Sequence, residues 1–585
     1  MLPQRFVSVF PLVGTLERSN IFEEATDNDV PLSKEILLDT GPRLREELRR
    51  RRPQEDAQFL WESLLKEQAT HKAEPPMTEA EVTRRFGTAR WAPVPSFCHT
   101  QPCGKQRRID DAKKGRQNQA IAYTEKGHLC TAFQPATCAR LVVQEAGQGS
   151  ERLRALGGLR SGCDDMPNAF RSIPAAPQDL DVNVVAVQHP DSGQWMFQIV
   201  WATLFGLSSS VMHFARWSHF LQAIARRIIQ LMWSMYVDDG SLVDAEAAGE
   251  SGQQAAASMF QDMGTPLAVE KRKKMSVRND FLGIQHDLGQ ALASGTVAFW
   301  VRQALHDKVH GMLRTHIEQD SLTPAESSKL VGSMGFAMQA AFGKVGQAAF
   351  APLSQRMHTD NPPWSLSLNI RWSFEFLEVL LQEKPRRVVQ LFKCEALPLV
   401  IASDAQAEME SPSGGYLALD AHSGTRSGGW CKITEQHLHA WGFTKQGLVE
   451  GQNPIQCCEA AMLPWTILHL GPKVLRGRRV LWFVDNTSAL YAAIKGSSKH
   501  PAVARAIAFA SFAQFHWDFQ VWFEFVDSKG NWSDSISREL GADDFAARHA
   551  FSTSQLEPTG QLWLGSLKDL WSAVREQRWT REAVF

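Results

Sequence analysis

Two groups of carboxylates carry the chemistry this chain could do. In the first, Asp238 and Asp239 are adjacent, follow the apolar run LMWSMYV and precede Gly240. Two like charges at the end of a buried strand are costly to desolvate. Successive strand residues point to opposite faces, so such a pair belongs at a hairpin tip, where divalent cations offset the charge. Sharing a cation requires an upstream acid, and Asp165 in CDDMPNAFRSIP supplies one just ahead of a turn-forming Pro-Asn pair. In the second group, Asp404 (VIASDA) and Asp485 (FVDNTSAL) close strand-like runs. Glu459 (IQCCEAAML) lies in an apolar helical pattern, and Asp534 (NWSDSISR) opens a helix. Taken singly, each of these four is at home as a cap or a solvated turn; taken as an ordered set, they can be gathered by folding into a second metal-dependent site.

The elements that must position these acids are legible in outline. Between 161 and 300, short apolar runs (VNVVAV, MFQIVWATLF, LMWSMYV) alternate with helical stretches (SSVMHFARWSHFLQAIARRI, AAASMFQDM), the pattern of an α/β or α+β sheet domain. Residues 301–392 read as a nearly continuous amphipathic helical connector. A strand-rich domain opens at LPLVIASDA and spans 393–545, with strands at VLWFVD and VWFEFVD, and 546–585 is a short Trp-bearing tail. Ahead of the sheet domain, 1–85 is a charged, mostly helical extension. Residues 86–160 contain GKQRRIDDAKKGRQ (104–117), with six basic side chains against two acidic.

Length and composition fit this multidomain α/β layout. At 585 residues the chain is several domains long, and 44% hydrophobic with 21% charged residues excludes a disordered chain. A net charge of −1 excludes a globally basic nucleic-acid coat, so any polyanion contact must be local. The nine scattered cysteines lack the paired CxxC spacing of a zinc module and fit a reducing compartment, cytoplasm and/or nucleus. No run of 18 apolar residues occurs, so no membrane span is expected.

Four ordered matches carry a family resemblance. Asp165-Met-Pro-Asn-Ala-Phe170-Arg171, Leu204-Phe-Gly-Leu-Ser208, Tyr236-Val-Asp-Asp239 and Phe281-Leu-Gly283 resemble the palm motifs of reverse transcriptases. The resemblance implies a right-hand polymerase with fingers over 86–160, a palm over 161–300 and a helical thumb or connection over 301–392. It implies nucleotidyl transfer with two Mg²⁺ per site (Mn²⁺ as substitute) held by Asp165 and Asp238, with Asp239 as the accessory acid. Phe170 takes the steric-gate place that favours deoxynucleotides and disfavours a viral RNA polymerase. Phe205 and Gly206 resemble the motif whose glycine lets backbone approach the nucleotide. Lys105, Arg107 and Arg108 fall where the fingers of this family clamp the triphosphate, and Lys271 matches the lysine that protonates pyrophosphate. Pro167 and Leu204 depart from the usual pattern.

The second set also resembles a family. SDA around Asp404, the helical Glu459, VDNTSALYAAIKG after Val484, and Asn531-x-x-Asp534-x-x-Ser537-Arg538 resemble a retroelement ribonuclease H. That resemblance implies that Asp404, Glu459, Asp485 and Asp534 hold two Mg²⁺ and cleave RNA in RNA/DNA hybrids. Implied partners are an RNA template, a DNA or RNA primer, dNTPs and the hybrid, in a protein that is part of, or derived from, a retroelement. The rival reading is a catalytically degenerate, nucleic-acid-binding descendant. The triplet Asp39-Thr40-Gly41 has the letters of an aspartic protease motif, but its surroundings are helical and Arg-rich.

Overall fold

The computed structural model describes residues 10–25, 30–52, 54–101, 104–147, 150–340, 344–359, 362–392, 396–407, 412–558 and 565–576. Cys103 and Cys394 lie outside them. The chain is a mixed α/β protein of two compact units, Met1–Leu282 and Gly283–Phe585.

The first unit is framed by helix α1 (Ala57–Ala69), strands β1 (Pro93–Thr100), β2 (Gln106–Asp110), β3 (Leu159–Asp165), β4 (Val184–Gln188) and β5 (Trp195–Ile199), helix α2 (Ser208–Arg227), and strands β6 (Met232–Tyr236), β7 (Asp239–Ala245) and β8 (Lys273–Ser276). One sheet has the order β2-β1-β4-β5, and a second, antiparallel sheet has the order β6-β7-β3-β8. β4 (VVAVQ) is buried at every position, as befits a β-branched run covered on both faces. α2 buries Phe214, Leu221 and Ala225 in the same cluster as Trp233 and Met235 of β6, a spacing that puts one helical stripe against the sheet.

Residues 1–85 were expected as an appended extension, yet the described part of them is built into this unit. Leu12, Leu16, Leu37, Leu60 and Leu64 share a buried cluster with Val94 of β1 and Val185 and Val187 of β4. Arg45 is buried beneath Trp91, with its guanidinium carbon 4.1 Å from the ring centroid and hydrogen bonds to the carbonyls of Ala89 and Trp91. The Asp39-Thr40-Gly41 triplet spans the junction of helices Lys34–Asp39 and Gly41–Arg49. Asp39 is exposed and pairs with Arg90 at 2.8 Å, so the protease-like letters serve a helix junction.

The second unit opens with β9 (Ile284–Asp287) and β10 (Thr296–Val301), continues through helices α3 (Gln303–Gln319), α4 (Pro324–Ala337) and α5 (Leu368–Gln382), and returns to β11 (Arg386–Gln390). It then carries β12 (Leu399–Gln406), β13 (Ser413–Asp420), β14 (Arg426–Lys432), α6 (Ile455–Leu475), β15 (Arg479–Val484), α7 (Thr487–Lys495), α8 (Pro501–Trp517), β16 (Gln520–Phe525), α9 (Asp534–Glu539), β17 (Ser552–Gln555) and α10 (Leu567–Glu576). The large sheet has the order β16-β15-β12-β13-β14-β17, with β12, β15 and β16 parallel to one another. α6 and α8 supply much of its buried cover, including Trp465, Phe509 and Phe512.

The structure differs from the sequence reading at two places. The boundary placed at 300 falls inside β10, whose Trp300 is the cross-strand partner of Arg386. Residues 386–390, read as part of the helical connector, form a strand: Pro385 cannot continue α5, and the β-branched pair Val388-Val389 favours extended backbone. The described part of the tail packs into this unit: β17 adds to β14 in parallel, and Trp571 of α10 packs 5.9 Å from Phe376 and 5.3 Å from Phe512, ring centroid to centroid.

Candidate active sites

The hairpin β6–β7 closes on Tyr236 opposite Asp239, leaving Val237 and Asp238 as its two-residue tip. Val237 has φ of 52°, a left-handed conformation that a β-branched residue adopts only when held there. Two contacts hold it. The hydroxyl of Ser218 on α2 donates to the Val237 carbonyl at 2.6 Å, and the Met166 N–H donates to the Asp238 carbonyl at 3.0 Å. Gly240 is required next, because a Cβ there would collide with the ring of Trp233. On its other side β7 runs antiparallel to β3 with Asp239 directly opposite Asp165, which puts their Cβ atoms roughly 5 Å apart on one face. Asp165, Asp238 and Asp239 thus lie together at the ends of β3, β6 and β7.

Their titration reflects that crowding. Burial, then the charges of Asp238 and Asp165, push the Asp239 carboxyl up to about 6. Asp238 is also raised, chiefly by burial. Lys271 Nζ ion-pairs with Asp165, whereas Lys273 pairs with Asp280 at 2.7 Å. Lys271 is therefore the lysine of this run that reaches the acids.

Asp165 and Asp238 lie on the wall of a cleft of about 590 Å³ that also holds Lys105, Arg107, Arg108, Phe170, Phe205 and Lys271. Phe170 packs 5.6 Å from Phe205 and 5.7 Å from Phe214, centroid to centroid. Gly206 has φ of 128°, and a Cβ on it would collide with the carbonyl of Asp110, so its close backbone approach is to β2. Sequence reasoning missed Lys66, Glu67, Thr70 and Lys72, which reach this cleft from α1 and the turn after it.

Glu67 closes a buried four-membered charge cluster. Arg171 donates to Glu67 at 2.6 Å and to Asp110 at 2.7 Å, and Arg108 donates to the same two acids at 2.7 and 3.1 Å. Ser96 completes the shell of Asp110 at 2.7 Å. Burial alone would raise the Asp110 pKa, but Arg108 and Arg171 outweigh it and hold the carboxyl below its usual range. The cluster ties α1, β2 and the Phe170-Arg171 turn together, and so fixes two cleft walls. Removing one member of such a cluster strands buried charge, so Asp110→Ala should destabilise the protein by about 3–5 kcal/mol in denaturant unfolding. Asp39→Ala, which breaks an exposed pair, should leave the midpoint unchanged. Equal midpoints for both variants would refute the role given to the cluster.

In the second unit, Asp404 lies near the end of β12, Asp485 follows the end of β15, and Glu459 projects from α6. Each offers a carboxylate oxygen within 4.8 Å of the others, and among the described residues this is the one trio of His, Cys, Asp or Glu so disposed. Close packing makes room for it: a Cβ on Gly414 would strike Met462 of α6, and one on Gly415 would meet Ile536. Asp404 accepts a hydrogen bond from the Ser537 hydroxyl. Glu459 Oε2 is buried with no hydrogen-bond partner. Burial first, then the neighbouring acids, raise Asp404 to about 7 and Glu459 well above the usual carboxylate range. An all-oxygen donor set with an orphaned buried oxygen fits a hard divalent cation such as Mg²⁺. Asp534, the fourth expected acid, lies outside the trio and pairs with Arg538 at 3.0 Å. His500 is turned to Cys457, 3.4 Å from its sulfur.

No helix among the described residues is long and apolar enough to cross a membrane. No protein-family profile and no curated protein matches the chain. Among solved structures, a foamy viral protease-reverse transcriptase in complex with dsDNA is similar at 13% identity and a TM-score of 0.37, over 86% of this chain and 99% of that one. The foamy viral protease-reverse transcriptase in complex with an RNA/DNA hybrid is similar at 12% identity and a TM-score of 0.36, over 86% of this chain and 64% of that one.

Proposed function

We propose that the first unit is an RNA-directed DNA polymerase and that the large sheet of the second carries a ribonuclease H-type site for RNA/DNA hybrids. The observation that carries the polymerase reading is the register that sets Asp239 opposite Asp165 at a hairpin tip bearing Asp238, on the wall of a cation-rich cleft. In this reading β1 and β2 belong to the fingers and the β6-β7-β3-β8 sheet to the palm. Asp165 and Asp238, with Asp239 in support, would hold Mg²⁺, and Asp404, Glu459 and Asp485 would do so in the nuclease, with Asp534 as the outlying fourth acid. What such cations supply is acidification of the attacking hydroxyl or water and neutralisation of charge on the leaving group.

The side chains have distinct tasks. Lys105 and Arg107 bind the triphosphate of a dNTP. Arg108 backs this wall, with Nε and Nη2 engaged by Asp110 and Glu67 and Nη1 buried. Phe170 excludes a ribose 2′-hydroxyl. Lys271 ion-pairs with Asp165, and its ammonium would be the proton donor to pyrophosphate were that acid engaged by a cation. The test is primer extension on poly-rA with dTTP or UTP in Mg²⁺. The chain should use dTTP, and Phe170→Val should raise UTP use relative to dTTP by about 10- to 100-fold. No extension at any divalent concentration, with hybrid binding intact, would favour the degenerate, binding-only descendant.

In the nuclease, Ser537 is a positioning residue, because its hydroxyl donates to Asp404 and lies 2.8 Å from the Asp534 carbonyl, which competes for the same proton. Ser537→Ala should raise the Mg²⁺ concentration for half-maximal hybrid cleavage by about 10- to 100-fold, with Ser537→Thr partly restoring it. An unchanged Mg²⁺ requirement would remove Ser537 from the site.

A further inference from the structure

We propose that the N-terminal segment supplies a second phosphate-binding wall to the cleft, formed by Lys66 at the end of α1 and Lys72 in the turn that follows. The inference rests on the polymerase reading of the cleft but assigns a function to a segment that reading leaves unused. Seven cationic side chains line the cleft against four acidic ones. Three of the seven are already neutralised: Arg108 and Arg171 by Glu67 and Asp110, and Lys271 by Asp165. The other four, Lys66, Lys72, Lys105 and Arg107, have no ion-pair partner among the described residues. Two of them come from β2 and its approach, and two from the N-terminal segment.

Glu67, the one acid near enough to quench Lys72, is held by both arginines. The ammonium of Lys72 thus faces the cleft without an ion-pair partner, and burial first, then the charge of Arg171, lower its pKa against the opposing charge of Glu67. Arg108, which lines the cleft from β2, keeps Nη1 buried without a hydrogen-bond partner. A surplus of compact ammonium groups without ion-pair partners suits phosphate oxygens. The phosphate has two sources, the polyphosphate tail of a nucleotide or the backbone of an entering strand, and both share this chemistry.

Two binding probes on the full chain separate the sources without requiring turnover. One is calorimetric titration with inorganic tripolyphosphate, and the other is anisotropy of a labelled oligo-rA over a series of salt concentrations. Lys66→Gln with Lys72→Gln should weaken at least one probe by about 10-fold or more. If the strand is the source, the slope of log affinity against log salt should also fall by about one to two. Loss confined to tripolyphosphate assigns the wall to the nucleotide, and loss confined to oligo-rA assigns it to the strand. The control is Lys113→Gln with Lys114→Gln, which removes the same charge from residues outside the cleft. Both probes unchanged within twofold, or an equal loss in the control, overturns the wall. A chain that binds as described but extends no primer sinks the polymerase reading and leaves the wall standing. Lys66→Gln alone, at an exposed position, gives the same test should the double variant unfold.

Discussion

Asp238→Asn should abolish Mg²⁺-dependent primer extension, by at least roughly 1,000-fold, while leaving the protein folded and able to bind primer-template. The substitution keeps the volume of the side chain and removes one negative charge from a tip where three carboxylates crowd each other. Burial and Asp165 already disfavour the ionised form of Asp238, so the amide relieves repulsion in the metal-free protein. The expected signature is therefore a dead enzyme that is as stable as the parent, or more so, in a chelator. Asp165→Asn should behave alike, and in addition free Lys271 from its ion pair.

A pH dependence follows from the same crowding. Asp239 titrates near 6 because burial, Asp238 and Asp165 all raise it, and a carboxyl must lose its proton before it can help hold a cation. The Mg²⁺ concentration for half-maximal extension should accordingly fall as pH rises from 6 to 8, and Asp239→Asn should flatten that slope. Extension by Asp238→Asn at the parent's rate would end the assignment.

Much of this site was legible because its acids mark their own surroundings. The apolar run before Asp238, the glycine after Asp239 and the turn after Asp165 each announce a strand end, and the register of β3 with β7 then follows from three short antiparallel strands. The same holds for Asp404 and Asp485 at strand ends and Glu459 on an apolar helix. The charge cluster was not legible. Glu67 and Arg171 are 104 positions apart, and an ion pair across such a distance leaves no period or composition in either segment. For that reason a helix that walls the cleft read as part of an accessory extension. Ser537 shows in the sequence only as a letter of a motif, since nothing there tells a serine that caps its own helix from one that reaches across to an aspartate. β11 was hidden by its brevity: RRVVQ beside a helix offers five residues, too few for alternation to outweigh the preceding helical pattern.

Glu459→Gln should abolish hybrid cleavage and at the same time stabilise the metal-free protein at alkaline pH. Asp404, raised to about 7, and Glu459, raised well above the usual range, lie 4% exposed in a trio with Asp485. Both folded pKa values exceed the unfolded ones near 4, so the stability tied to the protonated forms is fully present below pH 4 and, for Asp404, is lost as pH climbs through about 7, with Glu459 acting in the same direction. In a chelator the unfolding midpoint of the parent should therefore fall between pH 5 and pH 8. Mg²⁺ should restore it at pH 8, where the carboxylates are free to bind, and do little at pH 5, where protons compete. Glu459→Gln removes one buried charge from the ionised state and should be more stable than the parent in chelator at alkaline pH. It should also lose the restoring effect of Mg²⁺ and leave primer extension intact. A variant destabilised under those conditions, or still stabilised by Mg²⁺ as the parent is, would show that the trio is held together by packing and hydrogen bonds alone. The ribonuclease H-type reading would then fall with it.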